Sequence, residues 1–235
     1  MRKNFIACII LPLHFLLSHR LYGQGKLPPA DVQRHTIGFS PFNNHTHISG
    51  VAIGLTAHPW SAWNDTTYVQ VNGLNIEVGP LGIVGGIWGT LFGLIGRRDS
   101  LHNRMSIFTH NAYSDSTDFR HVVYGTKING VSVSIGGISE TFNSGIIVNG
   151  LSGYVYTTSG IQVSGLLNEM FAFKGLLVAG ISNKTNIGKG VQIALINNSN
   201  TGQVFQIGLF NRIGKRVLPF INFGFKKEHK ASPGK

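Results

Sequence analysis

One short apolar phrase recurs through the second half of the chain at a constant spacing of fifteen residues. It reads GIIVNGLS from Gly145, GIQVSGLLN from Gly160, GLLVAGISN from Gly175 and GVQIALINN from Gly190. A fixed period with a β-like run in each unit is typical of stacked supersecondary repeats, not of an irregular globular core. This period constrains the fold more strongly than any other feature of the sequence.

Apolar residues alternate within each repeat. With the repeat glycine as position zero, positions one and three are apolar in every unit, as at Ile161 and Val163, whereas position two varies, as at Gln162. Alternate residues of a strand point to opposite faces. We therefore expect positions one and three to face a dry interior and position two to face outward. Asparagine tolerates left-handed backbone, so its recurrence at position eight predicts a ladder of turns at Asn168, Asn183 and Asn198.

Identical units with one strand each pair most simply in parallel. About seven residues remain in each unit for the return of the chain, fewer than a helical crossover needs. The sequence therefore predicts an all-β fold, a narrow β-solenoid with repeats of about 15 residues. The alternative is an outer-membrane antiparallel β-barrel, whose alternating faces would meet lipid and water.

Other segments surround the regular repeats. Residues 1–23 have the order of a signal peptide, with Arg2 and Lys3 before a short apolar run and Gly23 at the predicted cleavage site. The remaining segments are a lead-in at 24–49, irregular early repeats at 50–129 that begin at Gly50 and Gly73, regular repeats and a C-terminal cap at 130–225, and a basic tail at 226–235.

The early repeats are interrupted at 78–96 by an uncharged apolar insertion, VGPLGIVGGIWGTLFGLIG. On a helix, Gly85, Gly89 and Gly93 would share one face and allow close packing of the backbone. The sequence leaves three interpretations open: a buried loop or hairpin in the solenoid, an exposed contact with a membrane or partner, and a spanning helix.

The composition disfavours thiol, metal-binding and carboxylate-based catalytic sites. Cys8, the only cysteine, lies in the predicted signal peptide, so no disulfide or thiol site is expected. His45 and His47 would share one face of an extended segment, but no carboxylate or cysteine is close in sequence to complete a metal site. Between Arg120 and Lys227 the only acidic residues are Glu140 and Glu169, which disfavours a glycosidase with paired carboxylates. We predict no catalytic, cofactor-binding or metal-binding residues.

The net charge of +11 favours anionic surfaces. For an exported protein, the expected partners are an anionic glycan, lipopolysaccharide or an envelope protein, with a membrane contact through 78–96 as a further option. Nucleic acid is not expected, because an exported protein rarely meets it.

The units GIQVSGLLN, GVQIALINN and VFQIGLFNR, the early NGLNIEVGPLG and the closing LPFINFGF resemble a family of bacterial exported proteins. These are the surface repeat-containing proteins, built on a Gly-Leu-Gln-Ile-Gly-Leu-Ile-Asn phrase. The resemblance covers most of residues 50–225 and departs from the pattern at Ala194, where glycine is usual. It implies export, residence at the cell surface, in the outer membrane or in the periplasm, and no catalytic residues.

Together these features predict a non-enzymatic exported surface or envelope protein whose extended face serves binding or structural roles. The alternatives are an outer-membrane β-barrel protein and, as a minor one, a carbohydrate-active enzyme on a β-helix.

Overall fold

The computed structural model describes residues 31–43, 45–57, 68–95 and 125–225. Within these ranges the chain forms ten strands and one helix. The strands are β1 (Gln33–Ser40), β2 (Thr46–Gly54), β3 (Tyr68–Glu77), β4 (Gly125–Ser134), β5 (Thr141–Asn149), β6 (Ser152–Ser164), β7 (Leu167–Ala179), β8 (Ser182–Ile193), β9 (Ile196–Ile213) and β10 (Arg216–Phe223). The helix α1 (Pro80–Ile95) lies between β3 and β4.

The strands form a single sheet in chain order from β1 to β10. Strands β1 to β9 pair in parallel, with each repeat glycine beside the next, as in Gly145↔Gly160 and Gly160↔Gly175. The β-solenoid of about 15-residue repeats is therefore confirmed. The antiparallel barrel is wrong for this chain, because the ladder is parallel and β1 and β10 are not neighbours.

The sequence placed the coil boundaries well in the middle of the chain and less well at its ends. Gly50 and Gly73 do open early coils, and Gly73 pairs with Gly130 across the inserted helix. In the sequence, the last unit, VFQIGLFN from Val204, comes one residue early, and Gly190 accordingly pairs with Val204, a step of fourteen residues. The lead-in at 24–49, to which we assigned no period, contains β1 and the start of β2.

The repeat glycine is required by the backbone. Gly160 has a φ of 128°, a conformation that L side chains rarely adopt. A Cβ at this position would also collide with the carbonyl oxygen of Gly145 in the preceding coil. Gly175 and Gly190 repeat both features, so the column of glycines is where adjacent coils approach most closely.

The prediction of which face points inward is wrong. Position two is buried and positions one and three point outward, so Gln162 has no exposed surface whereas Val163 is 36% exposed. Gln162 is accommodated because Thr158 Oγ1 donates to its Oε1 (2.6 Å) and its Nε2 donates to Asn168 Oδ1 (2.9 Å). A buried polar group that is fully hydrogen-bonded avoids most of its desolvation cost.

The asparagine column is also a buried ladder and not a ladder of turns. Asn168 Nδ2 donates to Asn183 Oδ1 (2.9 Å), Asn183 Nδ2 to Asn197 Oδ1 (3.0 Å) and Asn197 Nδ2 to Asn211 Oδ1 (2.9 Å). All four side chains are buried. Asn197 takes the position that we assigned to Asn198, because the step into β9 is one residue shorter.

Apolar packing inside the solenoid is divided into two clusters. One lies in the first coils and consists of Phe42, Ile48, Ala52, Ala57, Val69, Val71 and Ile128. The other lies in the central coils and consists of Ile138, Ile147, Val155, Met170, Phe173, Leu177 and Val204. The interior is thus a mixture of short apolar clusters and hydrogen-bonded ladders.

Residues 78–96 are neither a buried loop nor a hairpin, because their described part forms α1 outside the coils. Pro80 is the first helical residue, a position that proline favours. Gly82 lies against Gly137, and Gly85 against the ring of Tyr154, whose hydroxyl donates to the Gly85 carbonyl oxygen (2.7 Å). Among the described residues no helix has the length and apolar content needed to cross a membrane.

The C-terminal segment LPFINFGF lies largely in β10, which turns back after Gly214 and pairs antiparallel with β9. Two of the predictions fall outside the described residues: the signal peptide at 1–23 and the basic tail at 226–235.

Candidate interaction surface

Strand β4 shows how one strand supplies both a polar and an apolar outer surface. Before Gly130, Lys127 points outward and Ile128 inward. After Gly130 the polarity is reversed, because Val131 and Val133 are exposed whereas Ser132 has no exposed surface. Each coil therefore presents two aliphatic side chains to solvent directly after its repeat glycine.

The strand register aligns these outward side chains in two straight rows across the whole sheet. We call the two rows together the apolar face. The first row is Ile37, Val51, Leu74, Val131, Ile146, Ile161, Leu176, Val191, Phe205 and Phe223. The second row is Phe39, Ile53, Ile76, Val133, Val148, Val163, Val178, Ile193, Ile207 and Ile221.

Every side chain in the two rows is aliphatic or phenylalanine. Most are exposed, up to 77% at Phe39, and the others are half-buried by their neighbours. Ten strands about 4.8 Å apart, with rows about 7 Å apart, give the face a length of roughly 45 Å and an area of about 700 Å². The largest apolar patch of an ordinary monomer is about 300–600 Å². An apolar surface of this size and shape is a candidate interaction surface.

The two long borders of the apolar face differ. The border before the repeat glycines is polar and consists of Asn72, Asn129, Ser144, Ser159, Lys174, Lys189 and Gln203. The opposite border is apolar at both ends and glycine-rich in the middle, with Leu55, Val78, Ile135, Gly150, Gly165, Gly180, Leu195 and Leu209. At the first border, the outer surface therefore changes from polar side chains before each repeat glycine to apolar side chains directly after it.

Helix α1 adds a second exposed apolar surface. Its small residues Gly82, Gly85 and Gly86 are buried against the coils. Its larger residues Leu81, Val84, Ile87 and Trp88 are exposed, Trp88 by 53%. Because α1 starts three residues after Glu77, the last residue of β3, these side chains follow directly on the apolar border at Val78.

The outer surface of the coils away from the apolar face carries charge. Lys184 Nζ lies 2.7 Å from Glu169 Oε1, and these residues are neighbours in the ladder between β7 and β8. Burial, with a smaller contribution from Glu140, raises the pKa of Tyr156 to about 12, and its ring stacks on Phe142 at a centroid distance of 5.0 Å. Tyr154 beneath α1 has its pKa raised further, mainly by burial.

The two histidines of the lead-in do not converge. His45 Nδ1 lies 2.7 Å from Asp31 Oδ2, a carboxylate that sequence proximity did not reveal, and this contact holds the pKa of Asp31 below its usual value. His47 Nε2 lies 2.9 Å from Asn72 Nδ2, and burial, followed by the charge of Arg34, lowers the pKa of His47. No group of three potential metal ligands occurs in the described part of the chain.

Sequence reasoning found the face residues of the regular repeats, from Val131 to Ile193, but assigned them to the core. The signal that could have corrected this is glutamine at position two in Gln162 and Gln192 together with asparagine at position eight, a pair of side chains able to bond inside the coil. Polar residues in register can satisfy one another, so alternation alone does not identify the buried side.

No protein-family model matches the chain, no curated protein matches it, and no solved structure matches it. The resemblance to bacterial surface repeat-containing proteins therefore remains a prediction from the repeat phrases.

Proposed function

We propose that this chain is a non-enzymatic exported protein of the cell surface or envelope that acts through an extended contact surface, the apolar face. One observation carries the proposal: ten successive strands each direct two apolar side chains outward, in register and without a charged residue among them. A repeat fold presents such a surface because each coil contributes the same elements at the same height.

Exposing this surface to water is unfavourable. At about 25 cal/mol per Å², covering about 700 Å² of apolar surface corresponds to a gross gain of roughly 17 kcal/mol before the costs of association. The chain directs aliphatic residues outward in every coil and buries glutamine and asparagine. Its apolar face is therefore suited to contact with a binding partner. Contact with a partner removes these outward aliphatic side chains from water.

The acidic side chains support a non-enzymatic role. Glu77 is buried, and its Oε2 accepts hydrogen bonds from the backbone nitrogen of Ala57 (2.7 Å) and from Asn75 Nδ2 (3.2 Å). Glu169 is paired with Lys184. Carboxylates engaged in structural contacts of this kind are poor candidates for general acid–base work.

The proposed location is the envelope, with an anionic glycan, lipopolysaccharide or an envelope protein as the expected class of partner. Lys174 and Lys189 stand on the polar border of the apolar face, and the chain has a net charge of +11. Positive charge next to an apolar surface favours a partner with anionic groups at its own border. The exposed side chains of α1 support a membrane contact through 78–96 as part of the same role.

Cysteine protection in intact envelopes tests the proposal. In a full-length Cys8→Ser background, Val163→Cys places a single thiol on the apolar face and Ser159→Cys places one on the polar border of the same strand. We expect a water-soluble maleimide to label Ser159→Cys in envelopes and to label Val163→Cys only after the protein is purified and diluted. Equal labelling of Val163→Cys in both preparations would show that the face is not covered and would overturn the proposal.

A further inference from the structure

The apolar face has the features of a surface that packs against another β-sheet. Its rows are mainly valine and isoleucine, the β-branched residues that pack well on a pleated surface. Sheets that pack face to face lie about 10 Å apart, with their inner side chains interdigitated. The outward side chains here repeat in ladders at the strand spacing, so a second sheet with the same spacing would fit between them.

We infer that the occupant of the apolar face is the apolar face of a second copy of this chain. This inference rests on the proposed function, because it names the partner of that same surface. Burying about 700 Å² on each copy gives a total of roughly 1,400 Å², which lies within the range of about 1,200–2,000 Å² for specific protein interfaces. The pairing is isologous, since the same patch is used on both copies.

Charge also favours a second copy. Two copies of an uncharged surface make contact without electrostatic conflict, whereas like charges placed opposite one another would be unfavourable. The two rows meet this condition in all ten strands. Lys174 and Lys189, the charged side chains of the polar border, stand before the repeat glycines and outside the rows.

A lipid surface fits the apolar face less well than a second sheet. Proteins that lie at a membrane interface typically place tryptophan and tyrosine at the headgroup level and basic residues around the apolar surface. The rows contain neither tryptophan nor tyrosine, and five of the seven residues along the polar border are asparagine, serine or glutamine. A regular array of β-branched side chains gives no advantage in a fluid lipid phase.

The test compares two pairs of lysine substitutions on the same two strands. Val148→Lys with Val163→Lys places charge within the second row of β5 and β6. Ser144→Lys with Ser159→Lys places the same charge on the polar border of those strands. We expect the parent chain and the border variant to sediment as dimers at micromolar concentration, and the row variant to dissociate about a hundredfold more readily, because each copy would bury uncompensated lysines.

A second measurement avoids dependence on folding of the lysine variant. In the Cys8→Ser background, Val163→Cys should become protected from a water-soluble maleimide as protein concentration rises, whereas Ser159→Cys should label equally at all concentrations. A parent chain that stays monomeric, or a row variant that dimerises as well as the parent, overturns the inference. Flotation of monomeric protein with phosphatidylglycerol-containing vesicles, with Val163→Cys protected only in their presence, also overturns it and assigns the face to lipid.

These outcomes separate the inference from the proposed function. A chain that is monomeric when purified but protected at Val163→Cys in intact envelopes has its face covered by something other than a second copy, so only the inference fails. A chain that is not protected in envelopes contradicts the proposed function itself.

Discussion

In strand β4, the segments before and after the repeat glycine have opposite polarity although they belong to the same strand. The segment before Gly130 buries Ile128 and directs the half-buried Lys127 outward, the usual arrangement for a soluble protein. The segment after Gly130 buries Ser132 and exposes Val133. The difference teaches that a solenoid can satisfy polar side chains inside by stacking identical groups at the coil spacing, which frees its apolar residues for an external contact.

The largest expected effect is on folding, and it comes from deleting part of a repeat, so that the segments before and after the repeat glycine no longer alternate along the chain. Deleting 160–174 removes one segment of each kind and brings Gly175 into the place of Gly160, so we expect a folded, shorter solenoid. Deleting only 160–166 moves the following residues out of their columns and should abolish folding. Circular dichroism and thermal melts of the two deletions measure this difference. Equal damage from both would argue that the coils are not modular.

The next effect tests which side of the second segment is the core. Leu177→Asp places a carboxylate at a side chain with no exposed surface, and we expect a loss of about 4 kcal/mol or more in the free energy of unfolding. Val178→Asp, the adjacent residue on the apolar face, should cost less than about 1 kcal/mol in a monomer. Denaturant unfolding of the isolated monomers gives both values. The reverse ranking would restore the arrangement that alternation alone predicts.

Gly160→Ala probes the junction between the two segments. Its φ of 128° and the nearby carbonyl oxygen of Gly145 both oppose a Cβ, and we expect a loss of about 2 kcal/mol or more. Ser159→Ala, one residue earlier on the polar border, is the matched control and should be nearly neutral. Thermal melts of both variants suffice. A neutral Gly160→Ala would mean that the coils can separate locally at little cost.

Asn183→Ala tests the buried ladder that replaces an apolar core. It leaves the partners Asn168 and Asn197 without their shared neighbour, and we expect a loss of about 2 kcal/mol. Asn186, on the outer surface, accepts a hydrogen bond from Asn200, so Asn186→Ala removes a comparable contact at an exposed position and should cost less than about 0.5 kcal/mol. Similar losses in the two variants would show that the buried ladder contributes no more than a surface contact.

The smallest effect is a pH dependence at His47, in the segment before Gly50. Burial and Arg34 lower its pKa in the folded chain, so the unfolded chain binds a proton at a higher pH than the folded chain does. Stability from this residue is therefore complete above the ordinary histidine pKa of 6.5 and declines as the pH falls below it. Unfolding curves from pH 8 to pH 5 should show a smaller decline for His47→Gln than for the parent. Equal declines would assign the effect to other histidines.

The sequence by itself determined the solenoid, its period and the boundaries of the central coils. The recurring glycine and the alternating phrase after it leave few other ways to pair identical strands, and a one-residue change in the period at Val204 was readable directly. The face residues of the regular repeats were also identified, because a regular alternation marks positions one and three in those units. This local pattern does not determine whether positions one and three face the interior or the solvent.

Only the tertiary structure decided that direction. A strand with valine on one side and glutamine on the other can bury either side if the polar side chains find partners. Gln162 bonds to Asn168 across the coil interior, and Asn168 in turn bonds to Asn183, a whole coil away. The structure also decided that the described part of 78–96 is a helix, because the glycines that weaken an isolated helix here admit the ring of Tyr154 and the backbone at Gly137. Both outcomes depend on contacts between residues distant in sequence, which repeat spacing and local propensity do not contain.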